Sequence, residues 1–374
     1  MKKFAKMSLV AAIAVAGTVA SAQPLAEAIK NVDVSGTVVY RYNDKNFDDG
    51  DSTVDNNYKV AVSLKSKVTD DVTFNSRFIA GGDNGGFIGL DTQGTGDGGV
   101  GVELTWANFA YTGIANTTVI VGKQGLGLPW FKATDSDGTE QTGTGILAMT
   151  TMGPVTAAAG YFNQTNVTAG KDAIGTTADV ALSGTNVMIA ALMGSFGPVK
   201  AEGWYMDADD TLDSYFLKAS GKIGPVNAYV QYQETDLDGV SGEDIELLKA
   251  GVSAKMGMFN AAFAYAKTGD DGSGILNAVS TNSAIGYSVS LHKADNSDAI
   301  FVDLGAQVSD KLHVGLNYDK VSDDDADEAD DHEEAFIQLT YKHAKNLSAY
   351  IRYADGEDAE LDYNRGRLQV EYKF

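Results

Sequence analysis

The sequence predicts an all-β fold: a transmembrane antiparallel up-and-down β-barrel of about eighteen strands, with about sixteen to twenty as the open range, long extracellular loops and short periplasmic turns. Three observations predict it. Apolar and polar side chains alternate with period two in run after run, as in Leu312, Val314, Leu316 and Tyr318 against His313, Asn317 and Asp319. The runs are joined alternately by very short and rather long connections. Residues 366–374, Gly366-Arg367-Leu368-Gln369-Val370-Glu371-Tyr372-Lys373-Phe374, then alternate strictly, with Leu368, Val370, Tyr372 and Phe374 on one face.

Met1 to Lys6 carries Lys2, Lys3 and Lys6; an apolar run from Met7 to Val19 follows, and Ala20-Ser21-Ala22 supplies a small-residue cleavage pattern. Residues 1–22 are therefore expected to be a cleaved secretory signal peptide, because the apolar run is shorter than the roughly 20 residues of a spanning helix. Residues 23–374 are expected to form one barrel domain. Past Ala22 no segment of spanning length lacks charge or glycine, which excludes a helical membrane protein. Cysteine is absent, so no disulfide staples the exported chain. Removing the three leader lysines leaves 25 basic against 51 acidic side chains, a net charge of -26. Such a chain repels nucleic acid and attracts cations. The 42 glycines and only 5 prolines suit many strands joined by flexible loops. A mean hydropathy of -0.15 fits a barrel in which only alternate strand residues face lipid.

The first strand places Val32, Val34, Val38, Tyr40 and Tyr42 on one face and Asp33, Ser35, Thr37 and Arg41 on the other. A loop from Asn43 to Asn57 leads to a second strand through Tyr58, Val60, Val62 and Leu64, which turns at Thr69-Asp70-Asp71 into a third with Val72, Phe74 and Phe78. The fourth begins at Val102, Leu104 and Trp106; its phase falters at Asn108, where a bulge is expected. Later turns share one design: Gly153-Pro154-Val155, Gly197-Pro198-Val199, Gly224-Pro225-Val226 and Gly257-Met258-Phe259. Glycine permits positive φ and proline presets a turn, so these are hairpin ends. Long loops are expected near Asp207 to Thr211, Glu234 to Asp244 and Ala354 to Asn364 among others. Within Gly274 to Ala294, Ile285, Tyr287, Val289 and Leu291 alternate well enough for an extra strand. Tyr42, Tyr161, Tyr205, Tyr232, Tyr265, Tyr318 and Tyr353 fall near strand ends entering long loops, the depth of an interfacial aromatic girdle.

A barrel of this size leaves an aqueous channel. The loop from Gln124 to Gly145 is the candidate constriction: Leu126, Leu128 and Trp130 are suited to the inner wall, and Asp135, Asp137 and Glu140 are expected to face the channel. Inward positions on the first three strands place Arg41, Lys59, Lys65 and Arg77 opposite them, which would set a transverse field that sorts solutes by charge. The acidic run Asp323 to Glu334 lacks the calcium-loop pattern and reads as solvated charge. Four histidines, His292, His313, His332 and His343, show no zinc spacing, and no nucleophile elbow or phosphate loop occurs, so no enzyme is expected.

The segment Pro24 to Gly36, followed by Tyr40-Arg41-Tyr42, resembles the mature N-terminus of the major outer membrane protein porins of the Campylobacter type. Val119-Ile120-Val121-Gly122-Lys123-Gln124, with Leu126, Leu128 and Trp130, resembles the family's strand and constriction-loop entry, and Tyr372-Lys373-Phe374 matches its ending, read as the assembly signal. The resemblance implies an eighteen-stranded, trimeric, cation-selective general porin. It requires no cofactor, with Ca2+ near the constriction as an option for which Asp135 and Asp137 are weak candidates. Here Phe131-Lys132-Ala133-Thr134 separates Trp130 from Asp135, a departure from the family's closer acid. The expected location is the bacterial outer membrane. Expected partners are outer-membrane lipid and lipopolysaccharide, two further copies of the chain and the barrel-assembly machinery, with no nucleic acid. The alternative function is an outer-membrane barrel acting mainly as an adhesin or structural surface protein.

Overall fold

The structure, a computed structural model, describes residues 32–48, 50, 52–90, 100–130, 133, 139–169, 174, 176, 180–240, 244–274, 287–291, 294–323, 331–358 and 361–374. The expected signal peptide lies outside the described residues. Eighteen long strands follow one another as an antiparallel meander. They are β1 (Val32–Phe47), β2 (Thr53–Lys67), β3 (Val72–Gly81), β4 (Gly101–Tyr111), β5 (Thr117–Gly125) and β6 (Thr142–Met152). Next come β7 (Val155–Thr165), β8 (Val187–Phe196), β9 (Val199–Ala208), β10 (Leu212–Ile223), β11 (Val226–Leu237) and β12 (Glu246–Met256). The last six are β13 (Phe259–Thr268), β14 (Ser297–Gln307), β15 (Leu312–Asp323), β16 (His332–Ala344), β17 (Leu347–Asp358) and β18 (Leu361–Lys373). Each pairs with its neighbours in sequence, and β18 returns to β1, from Thr37↔Lys373 to Phe47↔Tyr363. The barrel is therefore closed and has no free edge, as a sheet in lipid must be.

Period two sorts the side chains as expected. Leu192, Leu217, Val252, Leu316 and Ile351 stand exposed on the outer face, whereas Gln231, Gln233, Lys249 and Asp319 are buried on the inner one. The tyrosines of the expected girdle share the outer face. Five of their hydroxyls donate to polar groups at the rim: Tyr161 to Asn186 (2.8 Å), Tyr205 to Asp213 (2.7 Å), Tyr232 to Glu246 (2.6 Å), Tyr265 to Asp298 (2.6 Å) and Tyr318 to Glu333 (3.0 Å). An apolar ring with a wet hydroxyl is suited to that depth.

The glycine turns are two-residue hairpins. Gly153, Gly197, Gly224 and Gly257 have φ of 60°, 64°, 59° and 60°. A positive φ at the first central residue matches the twist of the flanking strands.

Three expectations are corrected. The bulge in β4 falls at Thr105, since Arg77 pairs with Trp106 and Phe78 with Leu104; the extra residue returns Phe109 to the outer face opposite Phe74. Several expected long loops are paired strand. β1 and β2 stay in register out to Lys45↔Thr53, β17 and β18 to Asp358↔Leu361, and only Asp209 to Thr211 joins β9 to β10. Ladder pairing continues beyond the apolar band because polar residues on both faces cost nothing in water. Third, residues 287–291 form no strand. Val289 and Leu291 instead pack against inward Leu247, Ala266, Ala299, Phe301 and Val321, so this part of the connection between β13 and β14 lies inside the barrel.

Candidate channel constriction

The loop after β5 enters the lumen, as its apolar first half predicts. Leu126, Leu128 and the fully buried Trp130 join Phe162, Ile189, Met206 and Phe216 on the inner wall of β7 to β10. The Trp130 indole N–H donates to Ser214 Oγ at 2.8 Å, and its ring meets Phe216 edge-on at 6.4 Å. Burying such side chains contributes about 1.5–3 kcal/mol each, enough to keep a long segment off the solvent.

Glu140 fixes the far end of the loop. It is 0% exposed and turned to the barrel wall, away from the channel it is expected to face. Arg77 donates to it from Nη2 at 2.7 Å and from Nε at 2.9 Å to Oε1 and 3.0 Å to Oε2, while Lys59 Nζ stands 3.8 Å away. Ser63 Oγ accepts from Arg77 Nη1 at 2.9 Å, and the Asn166 amide donates to the Glu140 carbonyl at 2.7 Å. The reason for the turn toward the wall is electrostatic: the buried Lys59 on β2 and the largely buried Arg77 on β3 attract an acid, and a fork from Arg77 satisfies both carboxylate oxygens.

The other expected site residues divide. Arg41, on β1, donates to Gln369 at 2.9 Å and lies over the Phe87 ring at 4.1 Å. Lys65 is exposed on the same inner face, opposite Asp33 and Asn75 toward the short-turn end, and does not join the cluster. Asp135 and Asp137 lie outside the described residues. Among the described residues no group of three or more His, Asp or Glu side chains is placed to hold a metal ion. His313 meets Asn260 at 3.3 Å, and Asn260 in turn donates to Asp303 at 3.0 Å.

The wall of β16 to β18 holds what sequence reasoning missed. Arg352, Arg365 and Arg367 surround the Tyr287 ring with guanidinium carbons 4.6, 4.2 and 4.7 Å from its centre. Glu334 anchors this loop, accepting the backbone N–H of Tyr287 (2.7 Å) and Ser288 (3.0 Å) and the Tyr363 hydroxyl (3.0 Å). Burial pushes the Tyr287 phenol up, against the opposing pull of the three guanidiniums. The available signal was the alternation of Arg365 and Arg367 with the apolar face of the last strand, of which the sequence reading used only the apolar residues. At the rim, Asp48, Glu333, Asp355, Glu357 and Asp362 line an acidic pocket of about 290 Å³.

A closed eighteen-strand barrel with an apolar outer belt, a polar interior and a loop packed inside defines a porin-like barrel of the bacterial outer membrane. The chain belongs to the Campylobacter major outer membrane protein family, whose profile matches residues 1–374. Among solved structures it is similar to Acinetobacter baumannii OccAB4, with a TM-score of 0.74 and 14% identity over 92% of this chain and 98% of that one. Pseudomonas aeruginosa OccK8 (OprE) gives 0.72 and 13% over 92% and 98%. Pseudomonas aeruginosa OpdK with vanillate gives 0.70 and 14% over 91% and 98%. These likenesses concern the fold. No curated protein matches the chain by sequence.

Proposed function

We propose that the protein is a general diffusion porin, a water-filled, cation-selective channel for ions and small hydrophilic solutes that works as a homotrimer and carries out no catalysis. The observation that carries this reading is the loop folded into a closed, polar-lined barrel and clamped at Glu140, as a segment that narrows a channel would be. The net charge of the exported chain and the acidic rim favour cations, because clefts lined by one sign of charge raise the local counter-ion concentration. The resemblance to trimeric porins supports the homotrimer.

Planar-bilayer recording tests the function. The expected result is a large ohmic conductance with a cation-selective reversal potential in a salt gradient. Asp135→Asn with Asp137→Asn is expected to reduce that preference, and an unchanged reversal potential removes both residues from the constriction. A barrel acting mainly as an adhesin would be electrically silent.

A further inference from the structure

We infer that Asp319 is a proton-operated latch for the segment Tyr287 to Leu291: protonated, it lets that segment stay docked on the inner wall, and ionised, it releases the segment and widens the channel. The inference rests on the reading of the lumen as a conducting channel and goes beyond it by giving that channel a regulation and the residue that operates it.

Asp319 stands on the inner face of β15, one residue past the girdle tyrosine Tyr318. It is 2% exposed, and its Oδ2 is buried with no hydrogen-bond partner among the described residues. The register sets it between the two points that hold the segment. On one side it is opposite Glu334 of β16, whose Oε1 takes the Tyr287 and Ser288 N–H groups at 2.7 and 3.0 Å. On the other it is opposite Phe301 of β14, which with Val321 belongs to the cluster that seats Val289 and Leu291. The segment is thus held on both sides of a carboxyl group whose buried oxygen has no donor.

Burying an ionised carboxylate without a hydrogen bond is costly, and such a group takes a proton instead. Glu334 on β16 and Asp303 on β14 add to that cost by repelling the charge, against the attraction of Lys249 on β12 and Arg352 on β17. Arg352 is shared with Glu334, and Tyr363 on β18 is committed to Glu334 Oε2 at 3.0 Å. Once the segment lifts, Asp319 meets the lumen water and gives its proton to it. The docked state therefore binds the proton more tightly than the released one, so docking is complete at acid pH and is lost as pH rises. Glu334 acts with the opposite sign, because holding two N–H groups requires its carboxylate, and protonating it would loosen the segment in acid.

Hydrogen–deuterium exchange at the Tyr287 and Ser288 amides of the folded, detergent-solubilised protein, corrected for intrinsic exchange, tests the latch. Protection is expected to fall about tenfold or more between about pH 5 and about pH 8. It should stay high across that range in Asp319→Asn, which keeps the shape of the side chain and cannot ionise. Asp319→Ser serves if that variant does not fold, and Asp310→Asn, in the short turn before β15, should keep the wild-type profile. Constant protection in the wild type, an unchanged pH profile in Asp319→Asn, or protection that falls on acidification, the sign of Glu334, overturns the inference. In bilayers the single-channel conductance is expected to rise over the same range in the wild type and not in Asp319→Asn; pH-dependent exchange with constant conductance takes the segment out of the conduction path and overturns the inference too. A channel silent at every pH strikes the porin function and leaves exchange to decide the latch.

Discussion

Glu140 does the opposite of what its place in an acidic loop suggests. An acid facing the channel would add to cation preference; an acid forked by Arg77 and approached by Lys59 has its charge spent on the wall. Its role is mechanical, holding the constriction loop against β2 and β3. Glu140→Gln removes the carboxylate that Arg77 forks, a loss of roughly 3 kcal/mol for a buried pair. The expected outcome is a lower thermal midpoint and a noisier open-channel current, with the reversal potential little changed. A large shift toward anions with a quiet current would show instead that the carboxylate is felt by permeating ions. Sequence named Lys59, Arg77 and Glu140 but set the acid across the channel from the two bases, whereas they are in contact. It could not orient Glu140, because a loop has no period from which a side chain's direction follows.

The strands were readable and the second inserted loop was not, and one physical fact explains both. Strand periodicity reports which side chains alternate between two environments. Val289 and Leu291 alternate with polar neighbours because they rest against the inner wall, and a segment laid on a wall produces the same pattern as a strand within it. Paired polar strands above the membrane were misread as loops for the converse reason, since neither of their faces is apolar. The loop's attachment depends on Glu334, whose Oε1 takes both the Tyr287 and Ser288 N–H groups. Glu334→Ala orphans those donors at about 1–3 kcal/mol for each buried group left unpaired. Limited proteolysis within residues 269–296 should accelerate and single-channel conductance should rise, while the strand content by circular dichroism holds. Unaltered cleavage would mean that the Val289 and Leu291 contacts alone seat the loop.

Closure of the whole barrel depends on one seam between the first and last strands. The register sets Tyr40 opposite Val370 and keeps Val34 on the same outer face. Below that pair Gly36 and Phe374 exchange both backbone hydrogen bonds, at 2.9 and 3.0 Å. Phe374 stacks on Tyr372 at 5.9 Å. A Cβ on Gly36 would lie 2.6 Å from Phe374 Cζ and 2.3 Å from the Ala61 carbonyl oxygen, so the backbone of β2 and the ring both require glycine there. The aromatic residue is thus part of the folded seam, and its effect should persist where no assembly machinery is present. Gly36→Leu is expected to slow folding into pure lipid vesicles and to lower the yield of heat-modifiable barrel. Phe374→Ala should restore part of the Gly36→Leu yield by vacating the space, although alone it costs about 1–2 kcal/mol of half-buried ring. Independent, additive losses from the two substitutions would show that the ring does not occupy the Gly36 surface, and would leave Phe374 with a role only in recognition during assembly.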